Sequence, residues 1–213
     1  ARKSRVISAK EKKMTAIHEA GHALLHYYLE NADPLHKVTV IPRGRAAGVT
    51  FSLPEEDSYS KGKYWIMDRI KIAYGGYAAE KIIYDETSTG TKNDIVQATE
   101  MARKMVCEWG MSESLGPVAY GKEDEPIFIG KEIAQHQEYS EDTAKNIDKE
   151  VQKILRSCLQ EVVDIITEKR DQLEFLADNL VKNETLDDAE IRKLLGLPPQ
   201  KSSGELPETE EPE

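Results

Sequence analysis

The sequence predicts a mainly α-helical fold with a small β-sheet or hairpin. Apolar residues recur at intervals of three and four through most of the chain, which is the spacing of amphipathic helices. One short segment, between residues 38 and 53, instead combines strand-forming residues with a central turn. With 213 residues the chain can bury a sizeable core. We expect one domain over residues 1–197 and a disordered, acidic, Pro/Glu/Ser-rich tail over residues 198–213.

The first long helix is predicted over residues 9–31. Ser8-Ala9-Lys10-Glu11 has the form of a capping box, in which the side chains of Ser8 and Glu11 satisfy free backbone N–H groups. Asp33-Pro34 ends the helical run, because proline is poorly tolerated inside a helix. The residues that recur at helical spacing behind the cap are Met14, Ile17, Gly21, Leu24 and Tyr28.

The rest of the chain is predicted from the helical spacing of apolar residues and from strand-forming segments with turns. Val38–Ile41 and Ala47–Leu53, on either side of Arg43-Gly44-Arg45, indicate a β-hairpin or a pair of short strands. The stretch 110–139 is rich in Gly, Pro and acidic residues, and we expect a loop there. Further helices are predicted over 60–84, 93–109, 140–182 (as an amphipathic pair or hairpin) and 187–195, the last ending at Gly196.

Composition narrows the class of partner and the compartment. The chain holds 29 Lys and Arg against 39 Asp and Glu, a net charge of −10, which argues against nucleic acid as the main partner. Cys107 and Cys158 are far apart and form no CxxC pair, as is typical of a reducing compartment. No segment approaches the roughly 18 apolar residues of a membrane span, and no signal peptide is visible. We therefore expect this piece of chain to be soluble.

The segment His18-Glu19-Ala20-Gly21-His22 is an HExxH motif within the first helix. Residues four apart lie on one helix face, so His18 and His22 can direct two imidazoles at a single Zn²⁺. Glu19 can then act as a base toward water beside the metal. Gly21 in mid-helix costs about 1 kcal/mol relative to Ala, which indicates a close approach to the backbone there. The alternative is two ordinary histidines on an ordinary helix.

A catalytic zinc also needs a third protein ligand and an open position. His26 continues the i+4 series but lies about 12 Å along the helix axis from His18, at 1.5 Å per residue. It therefore cannot easily bind the same ion. Tyr28 and Leu25 occupy the positions where a metzincin has His and Gly, so that class is rejected. The candidates that remain are Glu80 and Asp94, with His36 and His136 as weaker ones.

Both carboxylates also have structural interpretations. Thr91-Lys92-Asn93-Asp94 could be a second capping box, in which Asp94 only serves a helix N-terminus. Glu80 could be an ordinary exposed glutamate on a helix. The spacing does not choose between the two residues as ligands.

A series of short motifs runs in order through most of residues 1–200 around the HExxH segment. They are Arg2-Lys3-Ser4-Arg5, Asp33-Pro34-Leu35-His36-Lys37-Val38-Thr39, Ile41-Pro42-Arg43-Gly44, Gly48-Val49-Thr50-Phe51, Leu53-Pro54-Glu55-Glu56-Asp57, Gly75-Gly76, Ala79-Glu80, Ser88-Thr89-Gly90, Asn93-Asp94-Ile95, Met111-Ser112-Glu113 and Leu115-Gly116-Pro117. In these motifs the chain resembles the peptidase domain of the FtsH family of membrane-anchored, ATP-dependent zinc metalloproteases. Only the acidic tail has no counterpart.

The resemblance implies a helical zinc-peptidase domain with one Zn²⁺ per chain. It implies that His18, His22 and Asp94 are the zinc ligands and that Glu19 is the catalytic base. Glu80 would be a helix residue near the site rather than a ligand. Tyr77 follows Gly75-Gly76 where the family often has Arg, a departure outside the metal motif.

The resemblance also implies an assembly. The family forms a hexameric ring whose peptidase sites lie inside a chamber that an ATPase ring feeds with unfolded or membrane proteins. No GxxxxGKS or GxxxxGKT loop occurs in this sequence, so we expect ATP to bind to an AAA ATPase domain elsewhere in the same parent chain. The membrane would be reached only through an N-terminal part of the parent, on the cytoplasmic face of the inner (plasma) membrane.

The functional hypothesis is metal-assisted peptide hydrolysis with Glu19 as the base. Val49, Thr50 and Phe51 could offer a strand edge to an extended substrate, or could be ordinary core β-structure. One rival is an oligomerisation module in which 140–182 forms the interface and zinc is structural; a base beside the first ligand has no use there. Another is zinc-dependent hydrolysis of a small amide or ester.

Overall fold

The computed structural model describes residues 8–42, 47–53, 60–121 and 139–199. Several features predicted from the sequence lie outside these ranges. They are the turn Arg43-Gly44-Arg45, His136, most of the loop predicted over 110–139, and all but the first two residues of the acidic tail.

The fold is mainly helical with one small sheet, which confirms the predicted fold class. The helices of the described chain are α1 (Ala9–Tyr28), α2 (Lys63–Tyr84), α3 (Lys92–Cys107), α4 (Glu141–Glu168), α5 (Arg170–Asn183) and α6 (Asp188–Leu195), and a 3-10 turn at Thr89–Thr91 precedes α3. The strands are β1 (Leu35–Thr39), β2 (Val49–Ser52) and β3 (Thr185–Asp187).

Helix α1 begins at the capping box that its sequence predicts. The Ser8 hydroxyl accepts a hydrogen bond from the Glu11 N–H at 3.2 Å, and the Glu11 carboxylate accepts one from the Ser8 N–H at 3.0 Å. The helix ends at Tyr28 rather than residue 31, and Leu29 is extended. The Asn31 N–H donates to the Asp68 carboxylate at 3.0 Å, so an attachment to α2 replaces the last helical turn.

The three strands form an antiparallel sheet in the order β2-β1-β3. Strand β1 is central, with Val38 opposite Thr50 of β2 on one side and Leu186 of β3 on the other. Strand β3 is not predictable from the sequence pattern, because three residues directly before a helix give almost no periodicity. Strand β2 is an edge strand, and it is the one that passes the metal-binding motif.

Helices α1 and α2 cross with their backbones in contact. A Cβ on Gly75 would lie 2.6 Å from the Gly21 carbonyl oxygen, and a Cβ on Gly21 would collide with the Gly75 carbonyl. This is the close approach that a glycine in mid-helix indicates. The crossing brings the HExxH segment of α1 against the C-terminal half of α2.

The segment predicted as a helical pair consists of α4 and α5, which meet at Lys169. Their apolar stripes cover the α1–α2 pair and complete the core. None of the described helices combines the length and the apolar character that crossing a lipid bilayer requires. The fully buried residues of the two stripes are Ile147, Cys158, Val162, Ile166, Leu173, Leu176, Ala177 and Leu180.

Acidification should destabilise the fold through His26. The ring Nδ1–H donates to the Asp33 carbonyl at 2.7 Å, and burial, which outweighs this bond, lowers the pKa of His26 to about 4. In the unfolded chain His26 takes up a proton near pH 6.5, whereas in the folded chain it stays neutral until about pH 4. The contribution of His26 to the free energy of unfolding is therefore fully present above pH 6.5 and is lost as the pH falls toward 4. At 1.36 kcal/mol per pKa unit, the loss reaches up to about 3 kcal/mol.

Thermal unfolding of the wild type and His26→Gln between pH 7.5 and 4 measures this effect. Other groups also titrate in this range, so the difference between the two proteins isolates His26. We expect a flatter pH dependence for His26→Gln, and equal slopes would contradict a buried neutral His26.

Candidate metal centre

His18 and His22 face each other from adjacent turns of α1. Their Nε2 atoms lie 3.0 Å apart, and the two rings meet edge to face with centroids 4.7 Å apart. The i, i+4 spacing places both side chains on one face of the helix. Each ring therefore directs its Nε2 atom at the same point.

The other nitrogen of each ring is held by an acceptor on α2. His18 Nδ1 lies 2.8 Å from Glu80 Oε1, and His22 Nδ1 lies 2.7 Å from the Ile72 carbonyl oxygen. Because a carboxylate and a carbonyl only accept, each Nδ1 carries the hydrogen. In the neutral rings both Nε2 lone pairs therefore point into the space between the histidines, as metal ligation requires.

Asp94, in the first turn of α3, adds an oxygen to this point. Its Oδ2 lies 3.2 Å from His18 Nε2 and 3.6 Å from His22 Nε2. Within the described ranges, His18, His22 and Asp94 make up the single group of three or more His, Cys, Asp or Glu residues that could hold a metal ion. Spacing alone left Asp94 and Glu80 open, and the structure brings Asp94 to the converging atoms.

These three atoms fit zinc in kind and in separation. Two ligands bonded at 2.0–2.1 Å to a tetrahedral ion lie about 3.3 Å apart, and the observed separations of 3.0 to 3.6 Å bracket that value. Two nitrogen lone pairs and a carboxylate oxygen repel one another unless a cation lies among them. The side chains of His18, His22 and Asp94 retain 14%, 10% and 21% exposure, so the site is accessible.

Without a metal, a proton provides the missing positive charge. Burial by itself lowers the pKa of His18, but the hydrogen bonds to Asp94 and Glu80 outweigh it and raise the pKa to about 10. Burial would raise the pKa of Asp94, yet its hydrogen bonds with His18 and His22 hold that pKa well below the usual range. The site therefore favours a positive charge between these side chains.

Glu80 supports the site from behind. It is only 2% exposed, so its interpretation as an ordinary exposed glutamate is wrong. Besides His18 Nδ1, it accepts hydrogen bonds from the Ser88 N–H and, at 3.0 Å, from the Ser88 hydroxyl. Burial alone would raise the pKa of Glu80, but these bonds outweigh it and lower the pKa. Glu80 stays ionised and reaches the far nitrogen of His18, which fixes the tautomer of that ring.

The structural alternative for Asp94, a second capping box, does not form. Thr91 makes no side-chain cap bond to α3, and its hydroxyl instead donates to the Ser88 carbonyl at 2.9 Å. The 3-10 turn that precedes α3 thereby orders the loop and leaves the Asp94 carboxylate free to face the histidines.

The remaining histidines lie elsewhere. His26 turns to the Asp33 carbonyl, as its displacement along the helix axis predicts. His36 is exposed on β1 and lies outside the cluster. His136 lies outside the described residues.

The candidate base lies between α1 and strand β2. Glu19 is 6% exposed, and its Oε2 accepts a hydrogen bond from the Thr50 hydroxyl at 2.7 Å. It directly follows His18 in α1, and its negative charge contributes to the raised pKa of His18. Of the three residues predicted to bind substrate, Thr50 contacts Glu19, while Val49 and Phe51 are half-buried and pair with β1.

Gly76 is a site residue that the sequence indicated only as part of the Gly75-Gly76 motif, without a role at the metal centre. A Cβ at this position would lie 2.5 Å from His18 Nδ1 and 2.6 Å from His18 Nε2, so the imidazole packs flat against the α2 backbone. The signal in the sequence is the pair Gly75-Gly76 in mid-helix, four residues before Glu80, where each glycine costs about 1 kcal/mol relative to Ala.

Gly76→Ala should weaken zinc binding about 10- to 100-fold, because it pushes the His18 ring out of line, as loss of an outer-shell partner does. A competition titration with a chromogenic chelator measures the affinity. Gly62→Ala is the matched control, since a Cβ at Gly62, at the start of the same helix, meets nothing within 4 Å. Equal zinc affinity in the two variants would contradict the role of Gly76.

Known proteins are similar to this chain along most of its length. The chain is 54% identical over 206 residues to "ATP-dependent zinc metalloprotease FtsH" of Borreliella burgdorferi, which covers 97% of this chain and 32% of that protein. Proteins of the same name from Myxococcus xanthus and Thermotoga maritima are 50% and 45% identical, covering 91% and 92% of this chain and 30% and 32% of theirs.

The chain thus spans about a third of the length of these relatives. The sequence profile described as "Peptidase family M41" matches residues 5–194, which is nearly all of it and includes every residue of the candidate centre. The chain therefore belongs to peptidase family M41.

Proposed function

We propose that this chain is a zinc-dependent endopeptidase in which His18, His22 and Asp94 hold one Zn²⁺ and Glu19 is the general base. The observation that carries the proposal is the convergence of two Nε2 atoms and a carboxylate oxygen, with Glu19 directly after the first histidine in α1. The cluster contains three residues in the described chain. Three protein ligands are typical of a catalytic zinc, whereas structural sites are closed by a fourth.

Each group at the site then has its own role in peptide hydrolysis. When bound, zinc supplies Lewis acidity, which polarises the substrate carbonyl and makes water acidic near neutral pH. Glu19 accepts the proton of the attacking water and donates it to the departing amine. Glu80 and the Ile72 carbonyl hold the ligand rings in their metal-binding tautomer.

Strand β2 provides the substrate platform. It is an edge strand of the sheet β2-β1-β3, and the hydroxyl of Thr50 on this strand donates a hydrogen bond to Glu19. An extended peptide can add to such an edge by main-chain hydrogen bonds, with Val49, Thr50 and Phe51 as the contact residues. Main-chain bonding depends little on side chains, which suits the degradation of unfolded chains of varied sequence.

The chain works as the proteolytic part of a longer protein. The relatives are about three times as long and are named ATP-dependent. By analogy, an AAA ATPase domain of the same parent chain delivers unfolded or membrane proteins to the site, and the parent assembles as a homo-hexamer at the cytoplasmic face of the inner membrane, anchored through its N-terminal part.

Casein digestion tests the activity. The zinc-loaded chain should cleave casein, lose the activity to a chelator and regain it when zinc is returned. Bound zinc without cleavage of casein or of any small amide or ester would indicate the structural, oligomerising role of α4 and α5. Turnover of small amides or esters alone would indicate a hydrolase that does not act on peptides. Either result overturns the proposal.

A further inference from the structure

We infer that Thr50 is a positioning residue for Glu19, and that strand β2 thereby links substrate binding to the orientation of the base. This inference rests on the proposed function and assigns a task to a side chain for which only main-chain contacts with substrate are otherwise proposed. It is carried by two independent contacts with the same glutamate, one from Thr50 of β2 and one from Gly48, the residue directly before β2.

The first contact is the hydroxyl of Thr50. It lies 2.7 Å from Glu19 Oε2 and 3.3 Å from the Glu19 carbonyl oxygen, so one hydroxyl bridges the carboxylate and the helix backbone that carries it. A hydroxyl has a single proton to donate, and the shorter distance assigns it to the carboxylate. This bond holds Oε2 at a fixed place relative to α1.

The second contact is the backbone at Gly48. A Cβ there would lie 2.7 Å from Glu19 Cγ and 2.8 Å from Glu19 Oε1, closer than real Cβ contacts allow. The absence of a side chain lets the backbone directly before β2 lie against the Glu19 side chain. Gly48 and Thr50 thus enclose Glu19 on the side of the strand.

The two contacts have a mechanistic consequence. Residues 49–52 are the strand to which the substrate is proposed to add, and neighbouring residues of the same segment restrain the base. Main-chain hydrogen bonds from a peptide to β2 would stiffen the strand, and Thr50 would transmit that order to the Glu19 carboxylate. Correct orientation of the base, rather than peptide affinity, is therefore what the hydroxyl contributes.

Steady-state cleavage of a fluorogenic peptide by the zinc-loaded chain tests this. Thr50→Val keeps the shape of the side chain and removes the hydroxyl, so kcat should fall about 10- to 100-fold while KM changes less than about twofold. Thr50→Ser, which restores the hydroxyl, should recover kcat to within about threefold of the wild type. Zinc content should stay at that of the wild type in both variants, since neither touches a ligand.

Thr39→Val is the matched control. Thr39 is on the adjacent strand β1, and its hydroxyl donates to the Glu184 carbonyl at 3.2 Å, away from the centre. Its loss should lower the melting temperature without changing kcat, which separates weakening of the sheet from misplacement of the base. Gly48→Ala is a second variant that keeps the Thr50 hydroxyl and should also lower kcat at unchanged KM.

The outcomes are distinct. Thr50→Val with wild-type kcat, or an equal loss in Thr50→Ser and Thr50→Val, would overturn the inference and leave the proposed function intact. A zinc-replete wild type that cleaves no peptide would instead overturn the proposed function itself.

Discussion

Glu19→Gln should abolish peptide hydrolysis while the chain keeps its zinc. The glutamine amide oxygen can still accept the hydrogen bond from the Thr50 hydroxyl, so the side chain stays in place, but an amide cannot take the proton of the attacking water. General-base catalysis contributes about 10²- to 10⁴-fold, and we expect kcat to fall by that factor. Zinc stoichiometry should remain one per chain, because His18, His22 and Asp94 are unchanged.

The measurement pairs peptide turnover with metal analysis of the same preparation. Glu30→Gln, an exposed glutamate just beyond the end of α1, makes the same chemical change outside the centre and should retain wild-type turnover. A metal-replete Glu19→Gln protein with full activity would remove Glu19 from the mechanism and require another base.

The second large effect is the loss of zinc from Asp94→Ala. This substitution deletes one of the three converging ligand atoms, so the affinity should fall by more than the roughly 10- to 100-fold that loss of an outer-shell partner costs. Glu80→Ala removes such an outer partner, and its effect on zinc affinity should stay within that range.

The stability of the metal-free fold should fall more in Glu80→Ala than in Asp94→Ala. Glu80 is buried, and its removal leaves the His18 Nδ1–H and the Ser88 N–H without their acceptor, at about 1–3 kcal/mol for each unsatisfied group. Asp94 is partly exposed and its removal should cost the metal-free fold less. Competition titrations with a chelator measure the zinc affinity of both variants, and thermal melts of the metal-free proteins measure their stability. A larger loss of zinc affinity in Glu80→Ala than in Asp94→Ala would transfer the ligand role to Glu80.

Local sequence rules were sufficient where the interacting groups lie within one helical turn or two. The capping box of Ser8 and Glu11 forms as predicted, and the two histidines of HExxH share a face because a helix repeats every 3.6 residues. Gly21 indicated a close backbone approach, although not which helix approaches. The neighbour is Gly75, and only the packed structure identifies it.

The predictions were weakest where a contact joins distant segments. Helix α1 is shorter than predicted because Asn31 attaches to Asp68, and β3 forms only because β1 offers it an edge. Interactions of this kind depend on three-dimensional proximity, and no periodicity within one segment encodes them.

By itself, then, the sequence determined a mainly helical chain with two imidazoles and a carboxylate on one stretch of helix, since these depend on spacing along a single segment. The tertiary structure decided which carboxylate joins the histidines and which one stands behind them. Asp94 and Glu80 lie on different helices, and the crossing of α1 with α2 and the turn before α3 set their distances to the rings. The placing of Thr50 against Glu19 was decided in the same way, because a hydrogen bond between a strand and a helix exists only once the two elements pack together.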